Sequence, residues 1–183
     1  MPAIFNTVNY WSFKAPNYEK ILEFSNKKTD KDIDNTFFPW SRQCNIGIIP
    51  ITSVEFQYLL QPSIELFSDS IGRMFHYALH DPWINVYKKG SFQELHTHEP
   101  HDMSCVLFLN TGEDFSNFYF FNRYDISYPL LWKTLLNIDQ RYYPKVEDGT
   151  IIFFPSTTLH GVTVHNSDIT RRTISCNLEL TIT

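Results

Sequence analysis

The sequence predicts a mainly β protein in which an antiparallel barrel or jelly roll follows a set of supporting N-terminal helices. Three observations carry that prediction. The second half of the chain is a series of short runs rich in aromatic and β-branched residues, punctuated by Gly, Pro and Asp. No helical periodicity repeats between those runs. The one sustained stretch of helical spacing lies upstream of them.

In order along the chain, residues 1–40 read as polar and irregular, and 27–32 (Lys-Lys-Thr-Asp-Lys-Asp) as a solvated loop or frayed helix end. Residues 45–51 form a short strand closed by Pro50. Residues 53–77 place Val54, Tyr58, Leu59, Ile64, Leu66, Phe67, Ile71 and Met74 at helical spacing, with Pro62 expected to separate two helices. After Asp81-Pro82 the pattern changes. Residues 83–87 read as a strand ending in the turn Lys88-Lys89-Gly90, and 103–109, 118–121, 150–154, 162–165 and 173–182 as further strands. Gly149 and Pro155 bracket the buried 150–154 run. Residues 122–148 form a longer insertion whose Trp132, Tyr142 and Tyr143 line a substrate cleft or simply pack. The expected organisation is one domain over 1–183, with 1–80 as helical support and 81–183 as the β core.

Composition removes several function classes. A hydrophobic fraction of 43% and an aromatic fraction of 16% exclude a disordered chain. The net charge of −5 is spread among both signs, which argues against broad electrostatic binding to nucleic acid. No apolar run reaches membrane-spanning length and no targeting segment is visible at the start. Cys44, Cys105 and Cys176 are odd in number and widely spaced, as expected of reduced thiols in a cytoplasmic protein.

The candidate chemistry lies in histidines. His96 and His98 are two apart, so on a strand they project from one face while Thr97 points away. A jelly roll brings a residue from a later strand beside such a pair, and His160 is the candidate. Three ligands on one side of a metal leave the other side open, and neutral imidazoles suit Fe(II), zinc, copper and nickel. His101 and Asp102 follow closely, and Asp102 supplies a carboxylate ligand if that loop folds back. His165 is expected to point elsewhere. His76 and His80 share a helix face at the end of the helical stretch, where packing or surface roles are expected.

Residues 83–98 (Trp-Ile-Asn-Val-Tyr-Lys-Lys-Gly-Ser-Phe-Gln-Glu-Leu-His-Thr-His) and 104–109 resemble the first half of a 2-oxoglutarate/Fe(II)-dependent oxygenase core. Residues 148–156 (Asp-Gly-Thr-Ile-Ile-Phe-Phe-Pro-Ser), His160-Gly161-Val162 and 171–177 resemble its second half. The similarity is greatest to small phage and bacterial oxygenases related to prolyl hydroxylases, and it covers about residues 83–180. It implies a double-stranded β-helix core, the jelly roll of cupin-like proteins. It implies Fe(II) held by His96, His98 and His160, and 2-oxoglutarate as co-substrate, with its far carboxylate on Arg171 and Thr173. Those two share a strand face, and a guanidinium pairs with a carboxylate through two parallel hydrogen bonds. Arg172, Asn85, Tyr87 and Asp102 are further candidates.

The implied reaction hydroxylates a substrate, with a prolyl or other peptide side chain as the expectation, and releases succinate and CO2. Membranes and nucleic acid are not expected partners. The chain departs from many relatives in carrying His98 where a carboxylate stands. Cys105 also replaces a glycine, and a glycine-rich turn before the next strand is absent. Two other readings of the same residues are a cupin-like three-histidine metalloenzyme without 2-oxoglutarate and a non-catalytic jelly-roll module.

Overall fold

The computed structural model describes residues 9–123, 129–136 and 139–182. Among these, ten strands form two antiparallel sheets. The larger runs in the order β1 (Trp11–Lys14), β8 (Thr150–Pro155), β5 (Met103–Phe108), β10 (Arg171–Ile182), β3 (Phe75–Tyr87), β2 (Ile46–Pro50). The smaller runs β4 (Gln93–His96), β9 (His160–Val162), β6 (Phe118–Phe121), β7 (Arg141–Tyr142). From β3 onward the chain passes repeatedly from one sheet to the other, which is the winding of a double-stranded β-helix, or jelly roll.

Period-two alternation builds two cores from the same strands. Trp83, Val106, Phe108, Ile152 and Phe154 point inward and meet Phe118 and Val162 of the smaller sheet. Their neighbours Ile84, Cys105, Leu107, Ile151, Phe153 and Ile174 point outward. There they meet Ile21 of α1 (Tyr18–Asn26) and Phe56, Leu60, Ile64 and Phe67 of α2 (Ser53–Ile71). Phe67 stacks on Phe153 with ring centroids 5.0 Å apart and planes inclined by 8°.

The helical region differs from its prediction. Pro62 lies inside α2 and does not divide it. Proline costs a helix interior about 3 kcal/mol, but Phe56, Leu60, Ile64 and Phe67 are buried on both sides of it, and each contributes about 1.5–3 kcal/mol. A Thr52/Glu55 capping box starts the helix and Gly72, at φ 62°, ends it. Residues 75–80 are therefore strand and not helix, and His76 and His80 lie on β3. His80 is 3.3 Å from Glu179, and its ring is 5.0 Å from that of His101. Residues 1–40 also hold more structure than their polarity predicts, since β1 and α1 fall there. The strand expected over 162–165 lies earlier, because His160 and Val162 pair with β4 and β6 while Val164 is exposed.

Within the 122–148 insertion the structure describes α3 (Leu130–Leu136) and β7, while 124–128 and 137–138 lie outside the described residues. No helix among the described residues is long and apolar enough to cross a membrane.

Candidate functional site

Two neighbouring strands of the smaller sheet position the histidines. His96 ends β4 and is the register partner of His160, which opens β9. Gly161 permits this approach, since a Cβ there would lie 3.0 Å from the Gln93 carbonyl oxygen and 2.9 Å from the Tyr119 hydroxyl. His98 lies two residues past β4, and its N–H donates to the Ser156 carbonyl at 2.8 Å. One ring nitrogen from each of the three lies within 4.8 Å of the others. The ring centroids are 4.2 Å apart for His96–His160, 4.8 Å for His96–His98 and 5.1 Å for His98–His160.

Hydrogen bonds and burial set the chemistry of these rings. His160 Nδ1 is 2.8 Å from the Thr158 carbonyl and His96 Nδ1 is 2.8 Å from the Glu94 carbonyl. A carbonyl only accepts, so both Nδ1 atoms carry the proton and both Nε2 atoms keep a lone pair. Burial pushes the His98 pKa down to about 3, with His96 and His101 adding repulsion. Burial likewise lowers His96, and lowers His160 well below the usual imidazole range with help from its two neighbours. The rings are therefore neutral at physiological pH, as metal ligands must be.

The donor set fits a divalent metal of intermediate softness. Ligands about 2.1 Å from one ion and about 90–110° apart lie about 3.0–3.4 Å from one another, so a 4.8 Å separation must close by about 1.5 Å through side-chain torsions. Asp102 stands outside the cluster. Its N–H donates to the Leu178 carbonyl at 3.1 Å, and its carboxylate accepts the Leu180 N–H at 2.7 Å.

The first residues of β10 complete the space between the sheets. Arg171 is 2% exposed, with its guanidinium 4.6 Å from the Tyr87 ring centroid and 5.4 Å from that of Phe108. Its Nη1 donates to Ser116 Oγ at 3.4 Å, and it has no ion pair among the described residues. Burial lowers its pKa while Tyr87 raises it. Thr173, two residues on, faces the same space and accepts a hydrogen bond from Asn85 Nδ2 at 3.1 Å. Asn85 also accepts from Trp83 Nε1 at 2.8 Å. Tyr87 donates to Gln93 at 3.2 Å. Arg172 points to the helical side, where it donates to the Lys28 carbonyl at 3.0 Å. The three histidines, Arg171, Thr173, Tyr87 and Gln93 line one cavity.

Sequence reasoning missed Gln93 and Ser116. Gln93 Nε2 is 3.2 Å from His96 Nε2, three residues away. Ser116 lies in a loop, and only its cross-sheet contacts bring it to Arg171. A larger cleft of about 800 Å³ lies beside the site, lined in part by Tyr10, Phe121, Arg123, Tyr142, Thr158 and Leu159. Thr158 and Leu159 immediately precede His160, and the Tyr10 and Tyr142 hydroxyls meet there at 2.7 Å. Tyr142 lines this cleft and packs against Tyr10.

Fold and site together define a jelly-roll protein in which three neutral imidazoles share a cavity with a buried guanidinium that has no ion pair among the described residues. Residues 81–177 match the family described as "Putative 2OG-Fe(II) oxygenase". The chain belongs to this family and is a 2-oxoglutarate-dependent oxygenase that uses Fe(II). Solved structures share its fold. HygX from Streptomyces hygroscopicus, with nickel, 2-oxoglutarate and hygromycin B bound, aligns with a TM-score of 0.67 at 13% identity, over 96% of this chain and 84% of HygX. A Pseudomonas putida prolyl-4-hydroxylase aligns with a TM-score of 0.61 at 11% identity, over 94% and 93%. A viral collagen prolyl hydroxylase from Paramecium Bursaria Chlorella virus-1 aligns with a TM-score of 0.59 at 13% identity, over 94% and 96%. A search of curated protein sequences found no match.

Proposed function

We propose that the enzyme hydroxylates a side chain of a peptide substrate, with His96, His98 and His160 holding the iron and Arg171 and Thr173 holding 2-oxoglutarate. The observation that carries this reading is the cavity that the three imidazoles share with Arg171, which has no ion pair among the described residues. Bound Fe(II) supplies O2 activation coupled to the conversion of 2-oxoglutarate to succinate and CO2.

The chain's own residues do the rest. The Nε2 lone pairs of His96 and His160 face a common point, and low basicity keeps them available. Arg171 offers parallel N–H donors to a carboxylate, in a setting where burial strengthens that pairing. Thr173 presents a hydroxyl beside it, and Tyr87 stacks on the guanidinium. The apolar surround of Phe118 and Phe154 excludes bulk water.

The peptide assignment is supported by the size of the adjacent cleft, by its aromatic walls, and by the fold shared with two prolyl hydroxylases. Three free, buried thiols suit a reducing compartment such as the cytoplasm. The test is substrate-coupled succinate release by the Fe(II)-loaded enzyme across panels of proline-rich peptides, other peptides and small molecules. Coupling to peptides alone is the expected result. Coupling only to a small molecule would overturn the peptide assignment.

A further inference from the structure

We propose that His165 is a positioning residue for co-substrate recognition, clamping Arg171 from two sides. The inference rests on Arg171 as the carboxylate-binding group. His165 lies five residues past His160 and takes no part in the metal cluster.

The ring of His165 is completely buried, and both of its nitrogens are engaged. Its Nδ1 lies 3.1 Å from the backbone N of Ser116, which can only donate. Nδ1 therefore holds the lone pair and Nε2 the proton. Nε2 donates to the Ile169 carbonyl at 2.8 Å, so one neutral tautomer is selected by two backbone groups.

Both partners bear on Arg171. Ser116, 4% exposed, accepts from the Arg171 guanidinium through its hydroxyl. Ile169 lies two residues before Arg171 and sets where β10 begins. The His165 backbone adds a third tie, donating to the Ser91 carbonyl at 2.7 Å and accepting from the Gly90 N–H at 2.8 Å. That turn follows Tyr87 directly, and the Tyr87 ring stacks on the same guanidinium. The edge-to-face contact with Phe115, centroids 5.0 Å apart, closes the remaining side. One histidine thus joins the three segments that surround Arg171, two through its ring and the third through its backbone.

This clamp matters because nothing stronger holds the guanidinium. The Tyr87 and Phe108 rings and polar contacts to the Ser116 and Tyr87 hydroxyls are what hold it, with no ion pair among the described residues. Such contacts permit sliding, and sliding changes which diacid fits between the guanidinium and the metal. One methylene separates 2-oxoglutarate from 2-oxoadipate, so a shift of about one bond length erodes that distinction.

The test is calorimetric binding of 2-oxoglutarate and 2-oxoadipate to Mn(II)-loaded protein. His165→Leu is expected to weaken 2-oxoglutarate binding about tenfold and to narrow its preference over 2-oxoadipate, with Mn(II) affinity unchanged. His165→Asn, whose carbonyl oxygen can accept the Ser116 N–H, is expected to recover part of both losses. Should His165→Leu fail to fold, Ser116→Ala removes the hydroxyl that touches Arg171 and is expected to narrow the same preference. General destabilisation would lower the melting temperature without changing the ratio of the two affinities. An unchanged ratio in folded His165→Leu, or in Ser116→Ala, overturns the proposal. Arg171→Met separates the two levels. If that variant binds 2-oxoglutarate like the wild type, the carboxylate assignment itself falls. If it loses binding while the His165 and Ser116 variants keep theirs, only the clamp falls.

Discussion

Replacing Arg171 with methionine should make the protein more stable alone and blind to its co-substrate. The guanidinium is 2% exposed and lacks an ion pair among the described residues. Burying a charge costs several kcal/mol even after relaxation. The Tyr87 and Phe108 rings return about 0.5–2 kcal/mol each, and the Ser116 hydrogen bond about 1 kcal/mol. A net cost of about 1–3 kcal/mol remains. Methionine fills similar volume without the charge, so Arg171→Met should recover most of that cost. For a chain of this size each kcal/mol moves the melting temperature by about 2–4 °C, so a rise of about 2–12 °C is expected without ligand. Adding 2-oxoglutarate at about a hundred times its Kd stabilises the wild type by about 2.7 kcal/mol. The variant should gain nothing, and the order of the two melting temperatures should converge or reverse. Thermal denaturation of Mn(II)-loaded protein, with and without 2-oxoglutarate, reads both effects. A variant that melts lower than wild type without ligand, yet still shifts when 2-oxoglutarate is added, would refute the reasoning.

Further expectations follow from the same geometry. Arg172→Met should leave 2-oxoglutarate affinity within about twofold of wild type, because Arg172 lies on the helical side bonded to Lys28; a large loss in calorimetry would contradict that placement. Phe153→Ala removes a fully buried ring stacked on Phe67 and should cost about 3–5 kcal/mol in denaturant unfolding; a loss under 1 kcal/mol would argue against this core. The metal-free protein should lose stability as pH falls below 6.5. Above that pH the imidazoles are neutral in both states. Below it the unfolded chain takes up protons that the buried triad refuses, since its folded pKa values are depressed, His98 to about 3. Each ring that stays neutral costs about 1.4 kcal/mol at pH 5.5, up to about 4 kcal/mol for three. Equal unfolding free energies at pH 7.5 and 5.5 would count against the depressed values.

Much of this arrangement is legible in the chain because period-two alternation is a local signal. The opposite orientations of Arg171 and Arg172 follow from it directly, whereas the burial of 150–154 follows from a continuous apolar run bracketed by Gly149 and Pro155. The meeting of His96 and His160 depends on register between β4 and β9, which their order along the chain anticipates. Ser116, Gln93 and the part played by His165 were not legible. Their partners lie 3 to 55 residues away, and loop geometry decides the pairing. At Pro62 a local rule was overruled by tertiary packing, since the buried stripe of α2 outweighs one lost hydrogen bond. The four residues of β1 were too few to display a period, and only their pairing with β8 makes them a strand.

The alternation along β10 has a consequence for how this enzyme tolerates insertions and deletions. Arg171 and Thr173 face the cavity of the three histidines, whereas Arg172 and Ile174 face away from it, all ahead of a register shift between Ser175 and Asn177. Removing one residue between Thr170 and Ser175 would exchange the two sets at once, turning isoleucine toward that cavity and threonine toward the apolar layer. Only a bulge like the irregularity already present between Ser175 and Asn177 would absorb the change. Libraries that vary chain length should therefore recover active clones from the 122–148 excursion and almost none from β10. Point substitutions along β10, by contrast, should separate cleanly by odd and even position into losses of turnover and losses of folding.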